Sequence, residues 1–196
     1  SRVHGAHMTG ALTASTPEAV NKARELYARC LANQQWCQTG GKEGAAARLD
    51  GEDLRPIGDR LKGLRLTAMN ARGACFVGMD LSGAQLQGAN LQNADLRAVN
   101  LRGADLRGAK LTGANLTKAD LRQAFLSPLP LGPERKTVGN LAAARLRYAM
   151  LQTADLSEAV LDGADLRGAD FTGARIAKTS FRDCDVGQAQ GLDFGA

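Results

Sequence analysis

A chain of 196 residues with 44% hydrophobic but only 4% aromatic residues is one domain, or one domain with a small appendage, whose core cannot rest on large rings. Its four cysteines lack paired metal-ligand spacing, no apolar run approaches the ~18 residues of a membrane span, and its only histidines are His4 and His7, so metal enzymes and membrane-spanning chains are disfavoured from the start. The net charge of +5 is uneven, with ten Lys/Arg against five Asp over 59–126 and six Lys/Arg against eight Asp/Glu over 141–196.

Residues 1–14, ahead of and just past Met8, read as a tag-like, disordered N-terminus that lies outside the fold. Free thiols at Cys30, Cys37, Cys75 and Cys184 fit a reducing cytoplasm, with a Cys30–Cys37 disulfide as the alternative; an exported origin stays open. Residues 15–46 are expected to form a helical cap and a Gly-rich linker. Ser15 can cap the helix, Pro17 suits its first turn, and Glu18 falls three residues after Ser15. Val20, Ala23, Tyr27, Cys30 and Leu31 form its apolar stripe, and it should end near Gln35, before Gly40-Gly41. A lone amphipathic helix must cover something, and the open first coil of a solenoid is the candidate.

From Leu81 to Phe171 a Leu or Phe recurs every fifth residue, as at Leu96, Leu101 and Leu106, interrupted once at about 127–139. Five is the period of neither a helix nor a strand, and a fixed short repeat signals a solenoid. Ala stands two before most anchors and Gly two after many, as in Ala104-Asp105-Leu106-Arg107-Gly108. Positive φ at a corner turn suits that Gly, and Ala lets neighbouring walls approach. Two pentads at 47–56 are out of phase with the rest, and a slip near Pro56 sets the main register. The insert holds Pro128, Pro130 and Pro133, which cannot donate to a ladder, so it should leave the coil as a loop.

Units such as Ala114-Asn115-Leu116-Thr117-Lys118 and Ala164-Asp165-Leu166-Arg167-Gly168 match an Ala-(Asp/Asn)-Leu-x-x consensus, and over 47–190 the chain resembles the pentapeptide-repeat family. The resemblance implies an all-β solenoid, a right-handed quadrilateral β-helix with four pentads per coil and Leu and Ala pointing inward. It predicts five to six coils here, with residues 191–196 as a C-terminal tail. Residues twenty apart then form columns, such as Asp80, Asn100, Asp120 and either Asn140 or a rotated successor. The columns continue across the insert if it fills three faces, and rotate by two if it loops out between adjacent ones.

The resemblance implies no catalysis, and no catalytic, cofactor or metal residue is assigned. Residues that break the outward-polar rule are the candidates for partner binding. Phe125, Met150 and Val160 stand where Asp or Asn is usual, and Tyr148 faces out. With Leu129, Leu131, Arg135 and Lys136 of the insert they form either an apolar partner site or a surface that the insert covers. Arg97, Arg102, Arg107, Lys110, Lys118 and Arg122 form a candidate basic stripe, but they spread over several walls without interleaved aromatics, which disfavours nucleic acid. Phe181, Val186, Leu192 and Phe194 make a meagre C-terminal cap, and an uncapped ladder edge invites a homodimer through that end. The expected function is a non-enzymatic scaffold that presents side chains to a protein partner. The alternative, also implied by the resemblance, is protection of DNA gyrase against quinolones or peptide poisons. A +5 chain is a poor mimic of a phosphate backbone carrying one charge per ~1.7 Å.

Overall fold

The computed structural model describes residues 16–194. Residues 1–14, Ser15, His4 and His7 lie outside that range. The chain runs from helix α1 (Pro17–Gln38) through a 3-10 turn (Arg55–Ile57) into a long series of parallel bridges, interrupted by a hairpin of β1 (Leu129–Gly132) and β2 (Arg135–Thr137).

Away from the first coil and the insert the bridges join residues 20 apart, with four per turn of the chain, so each coil has four faces. Face 1 carries Arg65, Gln85, Asp105, Phe125, Asp155 and Arg175; face 2 carries Arg48, Asn70, Asn90, Lys110, Asn140, Val160 and Ser180. Face 3 carries Asp53, Cys75, Asp95, Asn115, Arg145, Asp165 and Asp185; face 4 carries Asp80, Asn100, Asp120, Met150, Asp170 and Gln190. Faces 1 and 4 carry six rungs and faces 2 and 3 carry seven; the out-of-phase pentads pair as well, Arg48 with Asn70 and Asp53 with Cys75.

One pentad shows how sequence becomes wall. The Leu86 N–H donates to Asp105 O at 2.7 Å, and the Asp105 N–H donates back to Ala84 O at 3.0 Å, which fixes the rung. Within the chain, the Ala84 N–H closes a turn on Leu81 O at 3.1 Å, with Gly83 at φ +66° as its third residue. Every anchor from Leu49 to Phe171 is buried, and from Leu64 on Ala, or Leu64, Met69, Met79, Val99 or Gly139 in its place, fills the remaining inward positions. Each buried Leu contributes roughly 1.5–3 kcal/mol of apolar transfer, so the interior is a narrow but long apolar column.

Helix α1 departs in detail from its sequence pattern. Its N-cap is Thr16, whose hydroxyl accepts from the Ala19 N–H at 3.2 Å, and it continues to Gln38. Its buried residues are Ala23, Leu26, Cys30 and Asn33, while Val20 and Leu31 are exposed. The surface it packs against, rather than its own polarity pattern, selects that stripe. Among the described residues Asn33 is the one fully buried polar side chain: its Oδ1 accepts from Ala47 N–H at 2.8 Å and its Nδ2 donates to Thr67 O at 3.1 Å. Arg29 donates to Arg48 O at 3.0 Å and Gln34 accepts from Arg65 N–H at 3.3 Å. Helix side chains thus supply hydrogen-bond partners that a preceding coil would otherwise supply.

The insert forms a hairpin rather than an irregular loop, with Leu129 paired to Thr137. Asp105 bridges Phe125, but Phe125 bridges Asp155 and Lys110 bridges Asn140, thirty residues on. The ten extra residues therefore leave at one corner, between faces 1 and 2. The column Asp80, Asn100, Asp120 continues to Met150, not to Asn140. Gly139 re-enters the coil so closely that a β-carbon on it would lie 2.6 Å from Leu126 O.

Candidate functional site

The wall chemistry follows from one local motif, Asp-Leu-Arg. The Asp before an anchor and the Arg after it emerge on the same side of the wall. In Asp95-Leu96-Arg97 the Arg97 Nε and Nη2 reach the two Asp95 oxygens at 2.8 and 2.7 Å. The same forked pair recurs as Arg55–Asp53, Arg107–Asp105, Arg122–Asp120 and Arg167–Asp165. Each of these Asp side chains also accepts the backbone N–H two residues on, as at Asp120 and Arg122 (3.1 Å). The hydrogen bonds from Arg97, Arg122 and Arg167 hold the carboxyls of Asp95, Asp120 and Asp165 below the ordinary carboxylate range, against the opposing cost of partial burial. Where Ser or Thr follows the anchor, its hydroxyl takes the place of the guanidinium, as Ser82 on Asp80 at 2.6 Å and Thr172 on Asp170 at 2.6 Å.

This pairing redraws the candidate basic stripe. Arg97, Arg107 and Arg122 are each neutralised within their own pentad, at three different corners of the coil. Arg102 lies beside Asn100, which accepts its backbone N–H at 3.0 Å. Lys110 is on face 2 and Lys118 on the corner between faces 3 and 4, and neither makes an ion pair among the described residues. The six residues therefore form no continuous stripe.

The candidate partner patch is also divided. Leu129, Leu131, Arg135 and Lys136 belong to the hairpin on the corner between faces 1 and 2. Leu129 lies over Gly108, where a β-carbon would meet it at 2.8 Å, and Lys136 pairs with Glu158 on the same corner of the next coil. Phe125 stands on face 1 beside the hairpin and is 47% exposed, so the insert does not bury it. Met150 is half-buried on face 4 and Val160 half-buried on face 2. Tyr148, 52% exposed, stands on the corner between faces 3 and 4, diagonally opposite the hairpin. Phe125 on face 1 and Val160 on face 2 flank the corner that carries the hairpin, whereas Tyr148 and Met150 lie away from it.

At the C-terminal end, Phe171, Phe181 and Phe194 form an edge-to-face series with ring centroids 6.2 and 5.2 Å apart. Leu192 packs partly against the core, while Val186 and Phe194 are exposed. The backbone N–H groups of Phe181 and Val186 find no backbone acceptor among the described residues. All four cysteines are free, and burial pushes the Cys30 thiol up to about 12. Among the described residues no group of His, Cys, Asp and Glu is arranged to hold a metal, and no helix is long and apolar enough to cross a membrane.

The 20-residue spacing stacks Arg147 beside Arg167, as a solvated ladder or an anionic-partner stripe, but that spacing alone does not group them with Lys118, Arg145 and Tyr148. Arg145, Arg147 and Tyr148 gather with Lys118 and Arg167 around an open groove of about 520 Å³. The available signal was Arg145-Leu146-Arg147, which has Arg where the Asp-Leu-Arg motif has its carboxylate.

The chain matches the family model for pentapeptide repeats in eight copies, over residues 89–127, 140–176 and 149–188. No curated protein sequence matches it significantly. Among solved structures it is similar to QnrB1, a plasmid-mediated fluoroquinolone resistance protein, at 22% identity over 74% of this chain and 77% of that one, with a TM-score of 0.37. It is 34% identical to HetL, a protein involved in heterocyst differentiation regulation from the cyanobacterium Nostoc sp. strain PCC 7120, over 74% of this chain, with a TM-score of 0.28; it spans 63% of that chain. To Rfr23 from the cyanobacterium Cyanothece 51142 it is 28% identical, over 68% of this chain and 84% of that one, with a TM-score of 0.33.

Proposed function

The repeat region belongs to the pentapeptide-repeat family, whose members fold as right-handed quadrilateral β-helices and are generally non-enzymatic, and from that premise we propose that this chain is a binding scaffold for a protein partner. The observation that carries the reading is the filled interior. Inward positions from Leu61 to Phe171 are apolar and buried, so the ionisable side chains of those repeats stand on the outer walls. General acid–base chemistry needs a desolvated pocket, and a wall of paired Asp and Arg offers rigid display instead. The hairpin and the C-terminal end supply features that the regular walls lack. Affinity capture with the full chain, compared with a hairpin-deleted form and a form charge-reversed at Arg167, tests this. The reading predicts a partner whose stoichiometric binding responds to at least one of the two changes; equal recovery by all three forms would count against it.

The second reading, protection of DNA gyrase, is favoured by the projecting hairpin and opposed by the +5 charge. A gyrase supercoiling assay with and without a fluoroquinolone separates the two. Protection at stoichiometric protein promotes the second reading, and no effect at excess leaves the scaffold. We also propose that the protein acts as a homodimer in a reducing compartment such as the cytoplasm, joined through Phe181, Val186, Leu192 and Phe194. The exposed Phe194 ring and the unpaired ladder donors among the described residues at that end support this. Sedimentation at high micromolar concentration should give twice the monomer mass, and Phe194→Asp should reduce it; a monomer would sink the dimer.

A further inference from the structure

Where an Asp stands before the anchor and an Arg after it, that Asp neutralises the Arg; Arg72, Arg102 and Arg182 instead follow Asn or Ser. Arg145-Leu146-Arg147 inverts that rule, with two cations where the other pentads of this pattern hold a forked ion pair. Arg145 is exposed and has no carboxylate within ion-pair distance among the described residues. Its neighbours along face 3 are Asn115 and Asp165, and the Asp165 carboxylate is already held by Arg167 at 2.7 Å. Arg147 reaches that same carboxylate only at 3.8 Å, and its Nε is buried without a hydrogen-bond acceptor. One coil earlier on the same corner, Lys118 also lacks an ion pair among the described residues.

The result is a groove lined by Lys118, Arg145, Arg147 and Arg167, with Asp165 as the carboxylate in its lining and Asp185 reaching Arg167 from outside at 3.3 Å. Its floor is rigid. Rungs stand ~4.8 Å apart, so the cations of three successive coils occupy a span of about 10 Å. Tyr148, at φ +55°, closes one side with its ring on the Gly168 backbone. A flat ring beside concentrated, uncompensated charge suits a short extended segment: its carboxylates meet the cations and its aliphatic stems lie on the ring.

We infer that this groove on the corner between faces 3 and 4 is the docking site for an acidic, carboxylate-rich segment of a protein partner. The inference rests on the scaffold reading and names the partner's chemistry. Charge complementarity selects the occupant. The cationic span is bounded on face 3 by Asp95 and Asp185, which suits a few carboxylates and opposes a continuous phosphate backbone. A single-strand site would also need several stacking rings, and the groove has one.

The test is fluorescence anisotropy with the full chain and labelled hexaglutamate at 50 and 200 mM salt, beside a single-stranded oligothymidylate of equal charge. The expected result is saturable peptide binding that weakens with salt, at least tenfold weaker in Arg145→Asp. That change restores the Asp-Leu-Arg pair with Arg147, so the thermal midpoint should be kept or raised, which separates lost binding from lost fold. Lys178→Asp makes the same charge change on the opposite corner and should alter affinity less than twofold. Equal binding by wild type and Arg145→Asp, an equal loss in Lys178→Asp, or no saturable peptide binding would each overturn the site. Tighter Arg145-dependent binding of the oligonucleotide would overturn it in favour of nucleic acid. None of these failures touches the scaffold reading, which is decided by the capture experiment and the supercoiling assay.

Discussion

Asn33 of the helix holds the Ala47 N–H at 2.8 Å and the Thr67 carbonyl at 3.1 Å, so one amide side chain joins α1 to backbone groups at the start and the end of the first coil, on the corner between faces 1 and 2. Both partners would otherwise be peptide groups at an open edge. Asn33→Leu keeps the volume and orphans the pair. Each unsatisfied buried group costs about 1–3 kcal/mol, so chemical denaturation should show a loss of about 2–4 kcal/mol. Hydrogen exchange should rise first over 47–67. Uniform exchange along the rod would show that the clip does not secure the first coil.

Tyr148 and Gly168 make a second dependence. A β-carbon on Gly168 would lie 2.5 Å from two ring carbons of Tyr148, and Gly168 itself sits at φ +70°. Gly168→Ala therefore meets both a clash and an unfavourable backbone, and should cost about 1–3 kcal/mol. In a Tyr148→Gly background the clash is gone and only the backbone cost remains. A double-mutant cycle by denaturation should show coupling above about 0.5 kcal/mol; additive losses would place the ring elsewhere.

The Asp-Leu-Arg pairs set a pH dependence with a definite sign. Asp53, Asp95, Asp120 and Asp165 have carboxyls held below their ordinary value of 3.8, chiefly by the partner Arg hydrogen bonds. A depressed folded value means that the stabilisation is fully present above the unfolded value and is lost as pH falls through the folded one. Stability should thus be flat from pH 7 to about 5 and decline below pH 3.8 as these groups take up protons. Replacing Arg97 and Arg122 with Ala, which has no donor to take the guanidinium's place, should make that decline shallower. An unchanged slope in the double variant would show that the pairs do not carry it.

The hairpin should be separable from the rod. Deleting residues 128–137 joins Ser127 to Val138 and brings Leu126 and Leu141 to the ordinary spacing of five. Adding Val138→Gly then gives that corner the Leu-Ser-Gly sequence of Leu81-Ser82-Gly83, and it returns Lys110 and Asn140 to the 20-residue spacing of the other rungs. The deletion loses the half-buried Leu129 contact and the exposed Lys136–Glu158 pair. A cost of about 1 kcal/mol would lower the midpoint by about 2–4 °C for a domain of this size. A fall beyond about 10 °C in a calorimetric scan would make the hairpin part of the rod's structure.

The five-residue period made the anchors, the inward Ala and the corners legible, because each pentad repeats the same local demand. The buried stripe of α1 was less legible. Leu26 is buried and Leu31 exposed because the first coil decides which side of the helix is covered. The grouping of Tyr148 with Arg145 instead of the hairpin was hidden by the insert, whose length alone does not say at which corner it leaves. The Asp-Leu-Arg pairing could have been read directly, since residues flanking an inward anchor both face out. The left-handed positions of Lys118, Tyr148 and Glu158 could be placed by their register two residues after an anchor, despite lacking Gly.

Phe125 and Asp155 are thirty residues apart in sequence yet bridge one another on one face, as Asp105 and Phe125 do at a separation of twenty. The ladder does not count residues; it counts rungs. A side chain in this protein therefore has an address made of a face and a level, and substitutions should influence one another according to that address. Segments of quite different length could be spliced in at a corner without altering the neighbours that any wall residue meets.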